Sequence, residues 1–562
     1  MADMEVPDRP QCDPDPIRII HVGAGASGLL FAYKARKWLQ KYSLTCYERN
    51  PVPGGTWWVN RYPGCACDIP AHTYTFPFDA NPEWSGYYAG ADEIQEYMVR
   101  FYEKHELQPY MKFNTEVTDA TWDEAAKVWR VGLRQSDGSR FEDTCDVFVN
   151  GTGVLSRWKW PDIEGLQDFK GELAHSADWD RNLKWEGKKV AVIGTGSSSI
   201  QMTPVLADTA KHLTVFMRNE TYIGPPFASD IDNKEADSES QNPDAPGHHL
   251  YTEKEKQRFR DDPDYLEKYR RRIEQRVVGG FSMFYRGSEL NLTAKAAMQN
   301  LMRTRLGDRD DLKELIIPSW SPGCRRLTPG EGFLEALTRP NVTTVHTGIQ
   351  RFTPNGILTA DGNEHPFDFI ACATGFDVQY QPHFPIYGRG GEHMQSSAEP
   401  NVYAAVAVPR FPNYFVVNGP RGQWAQGSIL PSHDVQIEYI LQVVRHMQED
   451  QIASVEPRED LTDQLNRYMD TWHKKHSIWA EDCRSWYKDN KPDGRIHVWS
   501  GSMLHHLKYM KTPRFEHYVV QWKDPENVFR FLGHGMTIGE MKYGADVPVP
   551  YIRKEDTPWD VE

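Results

Sequence analysis

Long apolar runs are missing from this sequence, and so is any excess of positive charge. No stretch approaches the roughly 20 apolar residues that a membrane-spanning helix requires. Acidic residues outnumber basic ones by 79 to 64, which gives a formal net charge of -15. This balance disfavours nucleic acid or an anionic membrane surface as the main partner. We therefore expect neither a nucleic acid nor a membrane to be a partner.

Cysteine is sparse, and its spacing excludes two classes of site. The chain has eight cysteines, and the one close pair, Cys65 and Cys67, is separated by a single residue. The Cys-x-x-Cys pattern of a disulfide reductase or a zinc site is absent. The acidic, proline-rich start, Met1–Pro16, has no basic-then-apolar signal pattern. These features predict a cytoplasmic protein with reduced thiols and no metal site.

A strand, a glycine-rich turn and a helix follow one another near the start of the chain. Ile17–Val22 is β-rich, residues 23–28 read Gly-Ala-Gly-Ala-Ser-Gly, and Leu29–Tyr42 has a helical pattern. Such glycines allow a pyrophosphate to approach the helix N-terminus. The next β-rich run ends at Glu48, where a carboxylate accepts hydrogen bonds from a ribose. An ordinary glycine-rich turn is the alternative. The candidate dinucleotide contacts are Gly23, Gly25, Ser27, Gly28 and Glu48.

The same order of strand, glycine-rich turn and helix occurs a second time further along the chain. Lys188–Ile193 is a second β-rich run, residues 194–199 read Gly-Thr-Gly-Ser-Ser-Ser, and the following β-rich run ends at Arg218. A cation at this place favours the 2'-phosphate of NADPH over the free hydroxyl of NADH, although strand-end arginines are often surface residues. The candidate contacts are Thr195, Gly196, Ser197, Ser198, Ser199 and Arg218.

A spacing is also repeated at two strand ends. Asp146 precedes Thr152-Gly153 by the same distance as Asp368 precedes Thr374-Gly375. This echo indicates two nucleotide-binding units of the same design.

The stretch between the two glycine loops, Phe169–Asp180, shows neither a helical stripe nor a strict alternation. Taken alone, it would be a surface linker. Its pattern, Phe-x-Gly-x-x-x-His-x-x-x-Trp-Asp, resembles the fingerprint of the type I Baeyer-Villiger monooxygenases, flavoproteins that insert an oxygen atom beside a ketone. The fingerprint positions are Phe169, Gly171, His175, Trp179 and Asp180. The Gly-Gly-x-Trp run at residues 54–57 and the Tyr-Pro-Gly-x-x-x-Asp run at residues 62–68 resemble a second motif of that family.

The resemblance implies roles for further residues. FAD would be contacted by Gly55, Thr56, Trp57, Asp68, Tyr74, Val117 and Ile429. NADP would be contacted by Arg325 and by Trp486 in a mobile covering loop. Arg326 would be the active-site arginine, oriented by Asp68, and would stabilise a 4a-peroxyflavin anion. From its place in the linker between the two nucleotide units, and not from the resemblance, we expect His175 to couple domain movement to the reaction cycle. The aromatic run Phe281–Tyr285 is read as core, with substrate contact as the alternative.

The resemblance also implies an α/β fold with two Rossmann-like dinucleotide-binding domains, for FAD and NADPH, and a helical insertion in the NADPH domain. The expected FAD domain comprises residues 1–155 and 381–562, the NADPH domain 156–228 and 323–380, and the insertion 229–322, opening with an exposed excursion at Ser229–His249. We expect a monomeric enzyme that uses O2 and NADPH to convert ketones to esters or lactones, with sulfur oxidation as a side activity. An N- or S-hydroxylating flavin monooxygenase, disfavoured by Trp179 and Arg326, and a non-catalytic flavin-binding protein are the alternatives.

Overall fold

Two parallel sheets of five strands each form the centre of the molecule. The computed structural model describes residues 4–231, 249–378, 381–396, 399 and 401–560. In spatial order the first sheet consists of Tyr414–Val416, Val147–Asn150, Ile17–Val22, Tyr42–Tyr47 and Met111–Lys112. The second sheet consists of Val342–Val345, His212–Phe216, Lys189–Ile193, Phe369–Cys372 and Glu172–His175. The α/β class with two Rossmann-like domains is confirmed.

Helices pack on the parallel sheets, which agrees with the near-complete burial of the central strands Val147–Asn150, Lys189–Ile193 and Phe369–Cys372. In the first unit the helix Ala26–Trp38 packs against the long helix Leu430–Glu449. The α-helices are Ala26–Trp38, Thr56–Val59, Ala91–Lys104, Ser197–Thr209, Glu253–Asp261, Pro263–Val278, Glu289–Arg305, Asp310–Ile316, Phe333–Leu337, Leu430–Glu449, Glu459–His476, Met503–Met510 and Ile538–Tyr543. Within the described part of the chain, no helix is both long and apolar enough to cross a membrane.

Smaller sheets flank the two parallel ones. One combines Ile386–Tyr387, Thr115–Asp123, Val128–Gln135 and Arg140–Cys145. The others are formed by Ile349–Thr353 with Gly356–Thr359 and Glu364–Pro366, by Ile452–Pro457 with Tyr518–Trp522, and by Ile223–Gly224 with Thr328–Pro329. The region expected to be a helical insertion contains the four helices between residues 253 and 316. Residues 232–248 of the expected excursion lie outside the described residues, and the domain bounds stay a prediction.

The repeated spacing in the sequence corresponds to a repeated structural device. The carboxylate of Asp146 accepts a hydrogen bond from the backbone N–H of Arg18 at 2.7 Å. The carboxylate of Asp368 accepts one from the backbone N–H of Lys189 at 2.8 Å. Each aspartate thus ties the start of its own strand to the neighbouring strand that carries the glycine loop.

The fingerprint stretch contains a strand that the sequence did not predict. Glu172–His175 pairs in parallel with Phe369–Cys372 at the edge of the second sheet. The expectation of a linker without a regular element was wrong at these four residues, because so short a strand cannot show a recognisable alternation. Trp179 packs edge-on against Phe369, with 5.6 Å between ring centroids, and so anchors the stretch to the second sheet.

The expectation that all cysteines are reduced was also wrong. Cys324 and Cys483 form a disulfide, with their Cα atoms 6.3 Å apart. The two residues are 159 positions apart in the chain, so their spacing gave no signal in the sequence. The bond ties the segment just before Arg326 to the segment just before Trp486.

This pairing predicts a thiol count. Denatured, unreduced protein should expose six thiols, since two of the eight cysteines are paired, and reduction should expose all eight. A dithiol reductant should also lower the free energy of unfolding by about 2–4 kcal/mol, because the bond constrains the unfolded chain. Thermal denaturation measures this change. The Cys324→Ser/Cys483→Ser double variant is the control, because the reductant should not affect its stability. Eight thiols without reduction would contradict the pairing.

Candidate functional site

The loops that follow the strands of both parallel sheets meet at a large cavity. Gly23 and Gly151 reach it from the first sheet, and Gly194 and Ala373 from the second. Ligands of open α/β sheets bind at these carboxyl ends of the strands. The cavity volume is about 1080 Å³, and ordinary small-molecule pockets occupy about 300–1,000 Å³. The cavity thus has room for more than one ligand.

The first glycine loop is shaped for close backbone approach. Gly23 has a φ of +97°, and a Cβ there would lie 2.9 Å from the carbonyl oxygen of Gly151. The helix Ala26–Trp38 begins without a side-chain cap, so its first N–H groups remain available to a phosphate. Gly23, Gly25 and Ser27 line the cavity, but Gly28 does not. A Cβ at Gly28 would lie 2.1 Å from the carbonyl oxygen of Gly23, so this glycine serves the packing of the loop.

Glu48 lies where the sequence predicts a ribose-binding carboxylate. Its side chain is buried and lines the cavity. The carboxylate accepts hydrogen bonds from the backbone N–H groups of Ala24 and Asn50, both at 2.8 Å. These bonds fix its orientation, and a carboxylate has further lone pairs for a hydroxyl group.

The predicted contacts of the flavin end of FAD also converge on the cavity. The indole N–H of Trp57 donates a hydrogen bond to the hydroxyl of Tyr74 at 3.2 Å, and the two rings meet edge-on. The remaining predicted FAD contacts that line the cavity are Gly55, Thr56, Asp68, Val117 and Ile429.

Two buried polar groups in the cavity wall were not predicted from the sequence. Asn418 Oδ1 and His433 Nδ1 have no hydrogen-bond partner among the described residues, and both residues line the cavity. Burial lowers the pKa of His433 to about 4, so its ring is neutral at physiological pH. Unpartnered buried polar atoms are costly unless a ligand satisfies them. The wall therefore fits a polar cofactor such as FAD.

The second glycine loop repeats the construction of the first. Gly194 has a φ of +124°, and a Cβ there would lie 2.5 Å from the carbonyl oxygen of Ala373. The helix Ser197–Thr209 also begins without a side-chain cap. Thr195, Gly196, Ser197 and Ser198 line the cavity. Ser199 does not, and it is fully buried in the packing of the helix.

Arg218 and Arg325 form a cationic pair at the same end of the cavity. Both residues line it, and Arg325 donates a hydrogen bond to the carbonyl oxygen of Glu220 at 2.7 Å. Burial lowers the pKa of Arg325, and repulsion from Arg218 lowers it further. No carboxylate among the described residues forms an ion pair with either arginine. An anion such as a phosphate would relieve this repulsion.

Arg326 and Asp68 form a bidentate ion pair inside the cavity. Arg326 Nε lies 2.5 Å from Asp68 Oδ2, and Arg326 Nη2 lies 2.7 Å from Asp68 Oδ1. The part of the arginine side chain that stays accessible, 30%, belongs to the cavity wall. Burial alone would lower the pKa of Arg326, but the attraction to Asp68 outweighs burial and raises the pKa well above its usual value. The guanidinium is therefore a permanent cation held in a fixed orientation.

The segment around Trp486 is anchored beside this ion pair. Trp486 lines the cavity, and the hydroxyl of the buried Tyr487 interacts with the guanidinium of Arg326. The carboxylate of Glu481 accepts hydrogen bonds from the backbone N–H and the hydroxyl of Ser321, both at 2.8 Å. The sequence pointed to Trp486 but missed Tyr487, although the two residues are adjacent.

The fingerprint residues do not line the cavity. None of Phe169, Gly171, His175, Trp179 and Asp180, all of which the structure describes, belongs to its lining. The ring of His175 is buried and stacks on Trp158 with 4.5 Å between centroids. His175 Nδ1 accepts a hydrogen bond from the backbone N–H of Ala177, and Nε2 lies 3.1 Å from Thr374 Oγ1.

The aromatic run Phe281–Tyr285 does not reach the cavity either. Phe284 is buried and stacks on Trp479 with 5.3 Å between ring centroids. The core interpretation holds for Phe284, against which the half-buried Phe281 and Met283 pack, whereas Tyr285 is exposed.

Comparisons with known proteins agree with this geometry. The NAD(P)-binding Rossmann-like domain family matches residues 22–91. The chain is similar to the FAD-binding monooxygenase tazF of Aspergillus terreus, with 39% identity over 96% of this chain and 95% of that protein. It is also similar to a Baeyer-Villiger monooxygenase of Pseudomonas aeruginosa, with 30% identity over 86% of this chain and 88% of the relative.

A solved structure shares the fold. Cyclohexanone monooxygenase from Rhodococcus sp. Phi1 bound to NADP+ superimposes with a TM-score of 0.75 and 25% identity, covering 91% of this chain and 100% of that one. One of these relatives is named for FAD binding, one for Baeyer-Villiger oxygenation, and the solved structure is bound to NADP+. The chain is an FAD- and NADPH-dependent enzyme that belongs to the Baeyer-Villiger family of FAD-binding monooxygenases.

Proposed function

We propose that the enzyme inserts one oxygen atom from O2 beside the carbonyl carbon of a ketone. The products are an ester or lactone, NADP+ and water, which balances one ketone, one O2, one NADPH and one proton. The observation that carries this proposal is the ion pair of Arg326 with Asp68, which lies in the cavity shared by the two dinucleotide loops.

FAD, when bound and reduced by NADPH, supplies the electrons that activate O2. Arg326 provides a fixed positive charge for the negative charge that develops on the carbonyl oxygen of the ketone. Asp68 holds the guanidinium by two hydrogen bonds, so little reorientation is needed as that charge develops. Much of the cavity wall is apolar, and an apolar wall lowers the local dielectric constant and so strengthens this interaction.

Arg218 and Arg325 support a proposal about cofactor choice. The phosphate that distinguishes NADPH from NADH carries a negative charge that would complement these two guanidinium groups, neither of which has a carboxylate partner within the described ranges. The helix Ser197–Thr209 offers its uncapped N-terminus to the pyrophosphate of the same cofactor.

The hinge role of His175 stays a prediction, and its contacts support it. Burial lowers the pKa of His175 to about 4, so the ring is neutral at physiological pH. Since Nδ1 accepts a hydrogen bond, the proton of the neutral ring resides on Nε2 and is donated to Thr374. His175 thus fastens Trp158, in the linker between the two sheets, to the end of a second-sheet strand. The cytoplasmic location and the monomeric state likewise stay predictions.

The reaction class is tested with a panel of ketones that ranges from small cyclic to polycyclic and steroid compounds, with a sulfide and an amine alongside. Scoring must use product mass, because NADPH loss also accompanies simple reduction of O2 to peroxide. At least one ketone should give an ester or lactone. Oxygenation of the amine or the sulfide alone would instead identify an N- or S-hydroxylating enzyme, and flavin reduction without any product would identify a non-catalytic flavoprotein.

Removal of the active-site cation should separate NADPH oxidation from oxygen insertion. We expect Arg326→Ala to lower the kcat for ester formation by at least about 100-fold, the loss typical for one stabiliser of a developing oxyanion. NADPH should still reduce FAD, with peroxide as the product. Rapid-mixing absorbance follows flavin reduction, and product mass follows the ester.

Arg305→Ala is the matched control for Arg326→Ala. Arg305 forms a bidentate pair with Glu335, at 2.7 and 2.8 Å, but does not line the cavity. Arg305→Ala should form ester at the wild-type rate. It shows how much activity is lost merely because an arginine–carboxylate pair is broken. Arg326→Lys, which keeps the charge but loses the two-pronged geometry, should retain part of the activity. Ester formation at the wild-type rate in Arg326→Ala would refute the assigned role.

Arg218→Ala should weaken the preference for NADPH over NADH. One charge-assisted hydrogen bond is worth about 1.5–3 kcal/mol, so the ratio of the two kcat/KM values should fall by roughly 10- to 150-fold. The rate with NADH should change little. Arg339→Ala is the control, since Arg339 pairs with Asp208 in the same domain and lies outside the cavity lining. An unchanged cofactor ratio in Arg218→Ala would place the phosphate elsewhere.

A further inference from the structure

Asp68 lies at the end of a loop that has little regular structure of its own. The loop comprises residues 61–68 and follows the short helix Thr56–Val59. Its backbone is bonded to the rest of the first unit by the N–H of Cys67, which donates to Ala89, and by the carbonyl oxygen of Cys65, which accepts from Ala91. Because these bonds are few, the position of Asp68 also depends on contacts from other parts of the molecule.

One side chain of the NADP-binding helix supplies such contacts. Gln201, on the helix Ser197–Thr209, accepts a hydrogen bond at Oε1 from the hydroxyl of Tyr62 at 2.7 Å. Its Nε2 donates to the carbonyl oxygen of Ala66 at 2.8 Å. The side-chain amide of Gln201 thus binds the loop at Tyr62 and at Ala66, and Ala66 lies two residues before Asp68.

The loop and the helix are also in close backbone contact. Gly64 has a φ of +76°, and a Cβ there would lie 2.5 Å from the carbonyl oxygen of Gln201. Tyr62 is only 8% exposed and packs with the hydrophobic core of the second sheet. A loop from the first unit is therefore docked on the second unit near the turn that receives NADP.

We propose that Gln201 is a positioning residue that couples occupancy of the NADP site to the geometry of the Asp68–Arg326 pair. The same helix presents its N-terminus to the cofactor and its Gln201 side chain to the loop. A small shift of the helix on NADP binding would thus reach Asp68 through Ala66. This inference rests on the proposed function only for its catalytic consequence, and the structural coupling can be measured separately.

The structural coupling is tested by hydrogen exchange of the FAD-loaded protein. NADP+ should slow amide exchange within residues 62–68 in the wild type, and Gln201→Leu should abolish this slowing. Loss of the two hydrogen bonds should also speed exchange there by about 10-fold or more without NADP+. Equal slowing by NADP+ in the variant and the wild type would overturn the proposal.

The catalytic consequence is tested by the ratio of ester formed to NADPH consumed. Gln201 also lines the cavity, so the rate of FAD reduction by NADPH is measured alongside. Gln201→Leu should release more peroxide per FAD reduced, with a lower ratio and a lower kcat for the ketone. Gln201→Glu keeps the acceptor for Tyr62 but loses the donor to Ala66, and it should give an intermediate ratio. An unchanged ratio in Gln201→Leu would refute the positioning role.

A matched control separates positioning from the general loss of a helix glutamine. Gln448, on the helix Leu430–Glu449, donates to the carbonyl oxygens of Asp15 and Gln40 at 2.9 and 2.6 Å, outside the cavity lining. Gln448→Leu should leave both the ester ratio and the response of residues 62–68 to NADP+ unchanged. If Gln448→Leu lowered the ester ratio as much as Gln201→Leu does, Gln201 would contribute only to the stability of the protein.

A milder variant serves if Gln201→Leu fails to bind FAD. Tyr62→Phe removes a single hydroxyl from the same contact and should change the exchange rates and the ester ratio in the same directions, but less. Wild-type exchange rates and a wild-type ester ratio in Tyr62→Phe would then count against the coupling. If the wild type forms no ester from any ketone, the proposed function fails, while the hydrogen-exchange result still decides the structural coupling.

Discussion

The structure depends on one ion pair that joins its two nucleotide-binding halves. Asp68 follows the strand Tyr42–Tyr47 of the first sheet, whereas Arg326 precedes the strand Val342–Val345 of the second. Their two hydrogen bonds close inside the shared cavity. A bidentate arginine–carboxylate pair demands a defined geometry, so the two halves must hold a particular relative position for the pair to form. The ion pair proposed to serve the reaction therefore forms only when the two halves are correctly aligned.

Several contacts around the pair restrain that alignment from different sides. Gln201 and Tyr62 hold the loop before Asp68. The Cys324–Cys483 disulfide and the bonds between Ser321 and Glu481 hold the segment before Arg326 against the segment that carries Trp486. The cation therefore gains its orientation from packing and covalent restraint and not from Asp68 alone.

Local sequence patterns predicted the two glycine loops and the repeated nucleotide-binding unit. Both glycine loops follow a strand and precede a helix, so their backbone geometry was readable from residue type, and the repeated Asp-to-Thr-Gly spacing revealed the internal duplication. Gly28 and Ser199 do not line the cavity, and their contacts with the cofactors stay predictions. A motif specifies the turn but not which of its residues face the cavity. The strand Glu172–His175 was missed because the hydrogen bonds that define it come from Phe369–Cys372, almost two hundred residues away.

Long-range pairings were the least predictable features. The disulfide, the contact of Tyr62 with Gln201 and the interaction of Tyr487 with Arg326 each join segments that only the folded chain brings together. The sequence could not predict Asn418 and His433 as cavity-wall residues with buried side-chain atoms that lack a hydrogen-bond partner among the described residues. Whether a buried atom has a partner depends on its surroundings and not on its residue type.

The proposed reaction transfers one oxygen atom from O2 to a ketone in the cavity that holds the Asp68–Arg326 pair. Mass spectrometry of the product formed under isotope-labelled O2 in ordinary water is the decisive measurement. We expect an ester or lactone that carries one labelled oxygen for each molecule of ketone consumed. A product without the label, or consumption of NADPH with labelled peroxide as the sole oxygen-containing product, would contradict it.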